Sequence, residues 1–441
     1  MKDLITVICI LLISFTVTQA QQTNTLDSLY EVEDNVLVKS KDGAFISVVV
    51  VRSKKETKPL PAILQFTIYA RKTDVNKAKK AVDNGYVGVF AYTRGKYNSP
   101  DELVPYENDG DDAYAVINWI SKQIWCNGTV GMYGGSYNGF TQWAATKKIH
   151  PALKTIVPSA ASVPGWDSPM MNNVVMSFPF SWTYYVSNNK FLDNEDYNNK
   201  KQWNDLEQKW FATGSSYRTL DSLLGKPQNK IFRKWLNHPA YDKYWQSMVP
   251  YQEQFSNINI PILTTTGYYD GGQIGALYNM RELDKYNPKA NQYLIIGPYG
   301  HVGAQGTPDS IYNGYRIDSV ANISINSIIF QWFDYVLKQK DKPSFLVDKV
   351  NYQVMGTNKW KHAKSLSSVS NDTLTFYLNN SNDGTLNIQK SKKNKFSKMK
   401  VDFADRNSMN SYYYAFRLIW EDLNAGGGVM YKSPTLREDI E

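Results

Sequence analysis

The stretch Gly131-Met132-Tyr133-Gly134-Gly135-Ser136-Tyr137-Asn138-Gly139 constrains this chain more than any other. An apolar, β-capable run ending at Thr129-Val130 leads into glycines. A serine stands at the turn, and a helix-capable segment, Phe140 to Lys147, follows. A strand that turns this sharply into a helix lifts the serine hydroxyl above the sheet edge, and only glycine fits closely around such a turn. This is the layout of a nucleophile elbow. The general G-x-S-x-G pattern wants glycine two places after the serine. Here Asn138 stands there, and the second glycine comes one place later, at Gly139. Asparagine tolerates left-handed backbone better than most residues, so the turn stays accessible. The other reading is an ordinary glycine-rich strand–helix turn.

The elbow lies within alternating strands and helices. Val36 to Arg52 reads as a β-hairpin turning at Lys41-Asp42-Gly43. Pro61 to Tyr69 is a short apolar run, Lys77 to Asn84 a helix stopped by Gly85, and Tyr86 to Tyr92 a buried-type strand. Asp111 to Gln123 has helical period, with Ala113, Val116, Ile117 and Ile120 on one face. This spacing predicts a mostly parallel sheet covered on both faces. From Ala161 to Pro250 the chain turns rich in Trp, Tyr, Asn and Lys, which reads as an inserted helical lid. Alternation resumes at Ile260 to Gly267, Gly275 to Lys285 and Gln292 to Gly297. A helix over Ile328 to Gln339, with Ser327 as its N-cap, closes the α/β part. After a linker at Lys342-Pro343, the segments Lys349 to Met355, Leu374 to Leu378 and Ser411 to Trp420 predict a β-rich domain.

At the N-terminus, Lys2, the apolar run Leu4 to Val17 and Thr18-Gln19-Ala20 read as an export signal over residues 1–20. The alternative is a retained anchor, although the run is short for a span. Export implies a periplasmic or secreted protein. With 441 residues, 42% of them hydrophobic, the chain can build a large core. Its net charge of +8 comes from scattered lysines with no basic helix, so a solvated surface is the reading rather than nucleic-acid binding. Of two cysteines, Cys9 leaves with the signal and Cys126, beside Ile124-Trp125, reads as a buried, inert thiol. No Cys/His pair has zinc spacing, and neither metal nor cofactor is expected.

A nucleophilic serine needs a base that works near neutral pH, and histidine suits best. The chain has four histidines. His150 and His238 precede prolines, and His362 lies beyond the linker. His301 alone follows a buried-type strand, between glycines, where sites form at the carboxyl edge of a parallel sheet. Its carboxylate partner must lie between Ser136 and His301 in the order Ser, acid, His. Asp270 ends the run Pro261 to Tyr269 at a strand's carboxyl end. Asp242, in the lid, and Asp284, in a helix, are the competitors and read as surface charges. The oxyanion needs two donors. One is the backbone N–H of Tyr137, and the loop Thr67-Ile68-Tyr69-Ala70 offers the Tyr69 phenol as the second. Tyr69 can equally be a core tyrosine, one of 31.

At these residues the chain resembles the serine hydrolases that include cocaine esterase, α-amino-acid ester hydrolases, glutaryl acylases and X-Pro dipeptidyl-peptidases. That family's elbow is G-x-S-Y-x-G, which Gly134 to Gly139 fits in full. Tyr92-Thr93-Arg94-Gly95, Trp125 with Asn127 to Gly131, Gly267 to Asp270, Gly297 to His301, and Val354-Met355-Gly356 with Trp360 are also family-like. The resemblance implies Ser136 as nucleophile, His301 as base, Asp270 as acid, and Tyr69 as side-chain oxyanion donor, with Ile68 and Ala70 replacing the family's Pro and Gly. It implies an α/β-hydrolase core over residues 21–160 and 256–341, a helical cap over 161–255, and a jelly-roll-like β domain over 342–441, only partly present.

Two departures bear on substrate. Gly271-Gly272-Gln273 follow Asp270 where amino-acid ester hydrolases carry an acid for the substrate ammonium. In the cap, Met170 to Asn173 also lacks one, leaving Asp167, next to Trp166, as the nearby remnant and candidate substrate contact. The resulting expectation is an exported serine hydrolase acting on an ester or amide through an acyl-enzyme. An X-Pro-type dipeptidyl-peptidase and an inactive binding protein are the alternatives. The lid aromatics Trp166, Phe178, Phe180, Trp182, Tyr184 and Tyr185 suit an apolar or aryl acyl group, or else pack the cap's own core.

Overall fold

The computed structural model describes residues 29–370, 372–378, 384–390, 398, 402, 404 and 430–436. The expected export signal at residues 1–20 and the strand expected over Ser411 to Trp420 lie outside the described residues.

The alternating residues on either side of Lys41-Asp42-Gly43 form the expected antiparallel hairpin, β1 (Tyr30–Lys39) and β2 (Phe45–Ser53). Then come β3 (Leu60–Thr67), α1 (Asp74–Asp83), β4 (Val87–Tyr92), α2 (Asp109–Ile120), β5 (Cys126–Gly135), α3 (Tyr137–Thr146) and β6 (Leu153–Ser159). The lid holds a small hairpin, β7 (Met170–Met171) with β8 (Val174–Val175), and then helices. These are α4 (Phe178–Ser187), α5 (Asn194–Tyr197), α6 (Lys200–Thr213), α7 (Leu220–Leu224), α8 (Lys230–Trp235) and α9 (Lys243–Gln246). The core resumes with β9 (Ile262–Tyr269), α10 (Gln273–Tyr286), β10 (Gln292–Gly300), the hairpin β11 (Ile311–Tyr312) and β12 (Tyr315–Arg316), and α11 (Ile325–Lys338). Strands β13 (Val350–Val354) and β14 (Lys359–Ala363) follow, then the short pair β15 (Tyr377–Leu378) and β16 (Leu386–Asn387).

Ten strands form one sheet in the order β1-β2-β4-β3-β5-β6-β9-β10-β13-β14. From β4 to β13 the neighbours run parallel, and the margins are antiparallel. Because side chains alternate along a strand, one apolar run supplies two cores. Leu64, Met132 and Ile156 pack with Val116, Ile117, Phe140 and Trp143 of α2 and α3. Their neighbours Ile63 and Val157, with Leu263 and Ile295, pack with Ile329, Trp332 and Phe333 of α11. A sheet buried on both faces is what near-continuous apolar strands require.

Two expectations shift. Val350–Val354, expected to open the separate β domain, instead pairs in parallel with β10 as part of the main sheet. The last core helix starts three residues early, at Ile325. Its N-cap is Ser324, whose Oγ accepts from the Ser327 N–H, so Ser327 sits in the first turn rather than before it.

Candidate active site

Strand β5 turns into α3 at Ser136, which holds φ 62° and ψ −123°. For a residue with a Cβ this is strained backbone, of the kind the surrounding structure must enforce. Ser136 N–H donates to Ser159 O of β6, and its carbonyl accepts from Gly139 and Phe140 N–H, so both sides of the turn are tied. Gly134 has φ 135°, and a Cβ there would meet the Asn138 side chain at 2.7 Å. A Cβ at Gly139 would lie 2.7 Å from Ala161 Cβ. The second glycine is therefore needed where α3 crosses the end of β6. Asn138 does not take the left-handed backbone expected of it. It lies within α3, and the positive φ falls on Ser136 itself.

Asp270 follows β9 and His301 follows β10, strands parallel to β5 in the same sheet, so all three residues stand at one carboxyl edge. His301 Nδ1 lies 2.7 Å from Asp270 Oδ1. Asp270 is only 6% exposed. It is held by the Gly272 N–H at 2.8 Å on Oδ1 and by Thr266 Oγ1 at 2.8 Å on Oδ2. The His301 side chain is 44% exposed. With Nδ1 turned to the carboxylate, Nε2 is the nitrogen left for a reacting group. The competitors are engaged elsewhere. Asp242 caps α9 and pairs with His238 in the lid, and Asp284 accepts from Gln292 Nε2. His150 accepts from Ala152 N–H, and His362 faces Asn351.

The Tyr69 hydroxyl lies 3.4 Å from Ser136 Oγ and accepts from Trp182 Nε1 at 3.3 Å. Burial pushes the Tyr69 phenol above its ordinary pKa, opposed by its hydrogen bonding with Ser136, Trp182 and the Tyr137 N–H. It therefore stays a protonated donor at neutral pH. The Tyr69 hydroxyl and the Tyr137 N–H thus converge beside the serine.

Several contributors carry no motif signal. The Tyr137 phenol donates to Asp109 Oδ2 at 2.8 Å and accepts from Tyr106 N–H at 2.9 Å. Asp109 is also held by Thr93 Oγ1. Burial first, opposed by these hydroxyls, pushes its pKa up to about 7. Gln305 lies across Gly135 and donates through Nε2 to His301 O at 2.7 Å, bracing the histidine loop against the elbow. The family-like Thr93-Arg94 stretch is also support. Arg94 grips Asp112 through Nε and Nη2 and reaches Asp42 through Nη1. Cys126 is buried and free, with burial pushing its thiol pKa up.

The two candidate substrate contacts have other surroundings. Asp167 is 3% exposed and accepts from Val163 N–H at 2.8 Å. Burial is the main cause of its strongly raised pKa, and the nearby Asp270 charge adds to it. Trp166 is 41% exposed and meets Tyr241 edge-on and Tyr278 at a tilt of 36°.

A ten-stranded, mainly parallel sheet with this edge is the α/β-hydrolase fold. Residues 42–303 match the model of the X-Pro dipeptidyl-peptidase (S15) family, and the chain belongs to that family. It is 27% identical over 372 residues to the cocaine esterase of Rhodococcus sp. (strain MB1 Bresler), covering 81% of this chain and 64% of that relative. An α-amino acid ester hydrolase structure aligns with TM-score 0.66 at 22% identity, over 82% of this chain and 63% of that one. An aminopeptidase from a marine sediment archaeon, Thaumarchaeota archaeon, aligns with TM-score 0.64 at 18% identity, over 82% and 62%. The chain thus spans less than two thirds of the length of these relatives.

Proposed function

We propose that this chain is an exported serine hydrolase that cleaves an ester or amide through an acyl-enzyme. The carrying observation is the Asp270–His301 pair, at 2.7 Å, on the same sheet edge as a serine at φ 62°. In this reading Ser136 Oγ attacks the carbonyl carbon while His301 Nε2 takes its proton. Asp270 fixes the tautomer and stabilises the imidazolium. The Tyr137 N–H and Tyr69 O–H hold the tetrahedral oxyanion. His301 then protonates the leaving group, and water activated by the same nitrogen releases the acid. The positive start and apolar run before residue 20 support export.

Ser136→Ala is expected to lower aryl-ester turnover by several orders of magnitude; activity that survives it refutes the nucleophile. The family match raises a second reading, release of N-terminal dipeptides. That reaction needs an anion to hold the peptide's ammonium, and Asp167 is enclosed, with its pKa raised by burial. Plain aryl esters should therefore be turned over faster than an X-Pro dipeptidyl-arylamide. The opposite ranking favours the peptidase.

A further inference from the structure

We infer that Trp182, carried by the cap, is a positioning residue for the oxyanion site: its indole N–H fixes the direction in which Tyr69 donates. This rests on the serine-hydrolase reading above. A phenol oxygen offers one O–H and two acceptor lone pairs, and its hydrogen rotates to suit its surroundings. Trp182 Nε1 occupies one lone pair at 3.3 Å. The O–H is then left for an acceptor other than the indole, and Ser136 Oγ lies 3.4 Å away. A donor aimed in advance costs no reorientation when the oxyanion forms, and a phenol that accepts a hydrogen bond becomes a better donor.

The rings around Trp182 keep its N–H in place. Its indole stacks on Tyr137 at 6.0 Å and 28°, and on Tyr106 at 6.1 Å and 14°. Tyr69 meets it edge-on at 6.4 Å and 88°, the geometry of a hydrogen bond rather than a stack. Trp182 thus touches both residues assigned to the oxyanion. Its helix α4 is fastened to the core from both sides. Lys96, fully buried, donates to the carbonyls of Val186 in the last turn of α4 and of Asn189 and Phe191 just past its C-terminus. Lys190 from the cap donates back to Gly95 and Ser99 carbonyls of the core. The cap therefore completes the catalytic edge as well as covering it.

The test is a double-mutant cycle on the full chain with an aryl ester. Trp182→Phe keeps an aromatic ring but deletes the donor, and should lower kcat about tenfold, the worth of one hydrogen bond. In a Tyr69→Phe background the same change should alter kcat by less than about twofold. Replacing Trp182 with 3-benzothienylalanine preserves the bicyclic shape without the N–H and should match Trp182→Phe, which keeps the test decisive if the phenylalanine variant fails to fold. An unchanged kcat in the isostere, or a full tenfold loss added to Tyr69→Phe, overturns the proposal. An unchanged rate in Tyr69→Phe alone also overturns it by removing Tyr69 from the site. Turnover surviving Ser136→Ala would instead sink the underlying serine-hydrolase reading.

Discussion

Tyr137 gives the elbow two handles. Its N–H follows the strained serine, and its phenol is locked between Asp109 and the Tyr106 N–H. Asp109 is held at a cost, because burial raises its pKa to about 7. Between the ordinary carboxylate pKa and about 7, the folded protein keeps a proton that the unfolded chain has already lost, so stability from this group falls as pH rises. Asp109→Asn removes that dependence. In urea titrations its stability relative to the parent should climb with pH up to about 7, by at most about 1.4 kcal/mol per pH unit, and level off above. A pH-independent gap would contradict the assignment. Ser136, Asp270 and His301 were legible as candidates because four histidines and a fixed chain order leave few choices. Asp109, Gln305 and Trp182 were not, because the contacts of Asp109 with Thr93 and Tyr137, of Gln305 with Gly135 and of Trp182 with Tyr69 join separate elements and no short motif encodes such pairs. The sequence shows Trp182 only as one of the lid aromatics, with nothing to mark the partner of its indole N–H.

Among the elements, the joint between α4 and the Gly95–Ser99 loop matters most. The C-terminal carbonyls of a helix lack intrahelical donors, and Lys96 supplies three N–H groups to that region. Burial, with the charge of Lys190, pushes the Lys96 pKa down to about 7. Lys96→Met keeps the apolar stem but leaves buried carbonyls unpaired, and should destabilise the fold by about 1–3 kcal/mol in chemical denaturation. It should also lower kcat by loosening Trp182. Parent-like values for both would show that the clasp is not needed. The strands and helices before residue 160 were legible from period and turn residues, since alternation and glycine stops have direct backbone causes. Two features were not. A short apolar run does not say which sheet it joins, and β13 joins the main sheet beside β10 rather than a separate β domain. The pattern also could not show that Gly139 answers a close approach to Ala161 while Asn138 stays helical.

At the scale of the molecule, core and cap share one apolar cluster. Phe180, Trp182, Phe232, Trp235 and Trp245 of the cap pack with Phe140 and Trp143 of α3. Much of the lid's aromatic content is therefore cap core, the blander of its two readings. Trp182 belongs to that core and to the catalytic edge at once. Among the described residues no helix is long and apolar enough to cross a membrane. The central claim is that Ser136 is the nucleophile that carries the acyl group, and covalent labelling tests it most directly. A fluorophosphonate should modify the folded parent once, with the adduct mapping by peptide mass spectrometry to Ser136, and should leave Ser136→Ala unmodified. A folded parent that takes no label, or a label on another residue that persists in Ser136→Ala, would contradict the account.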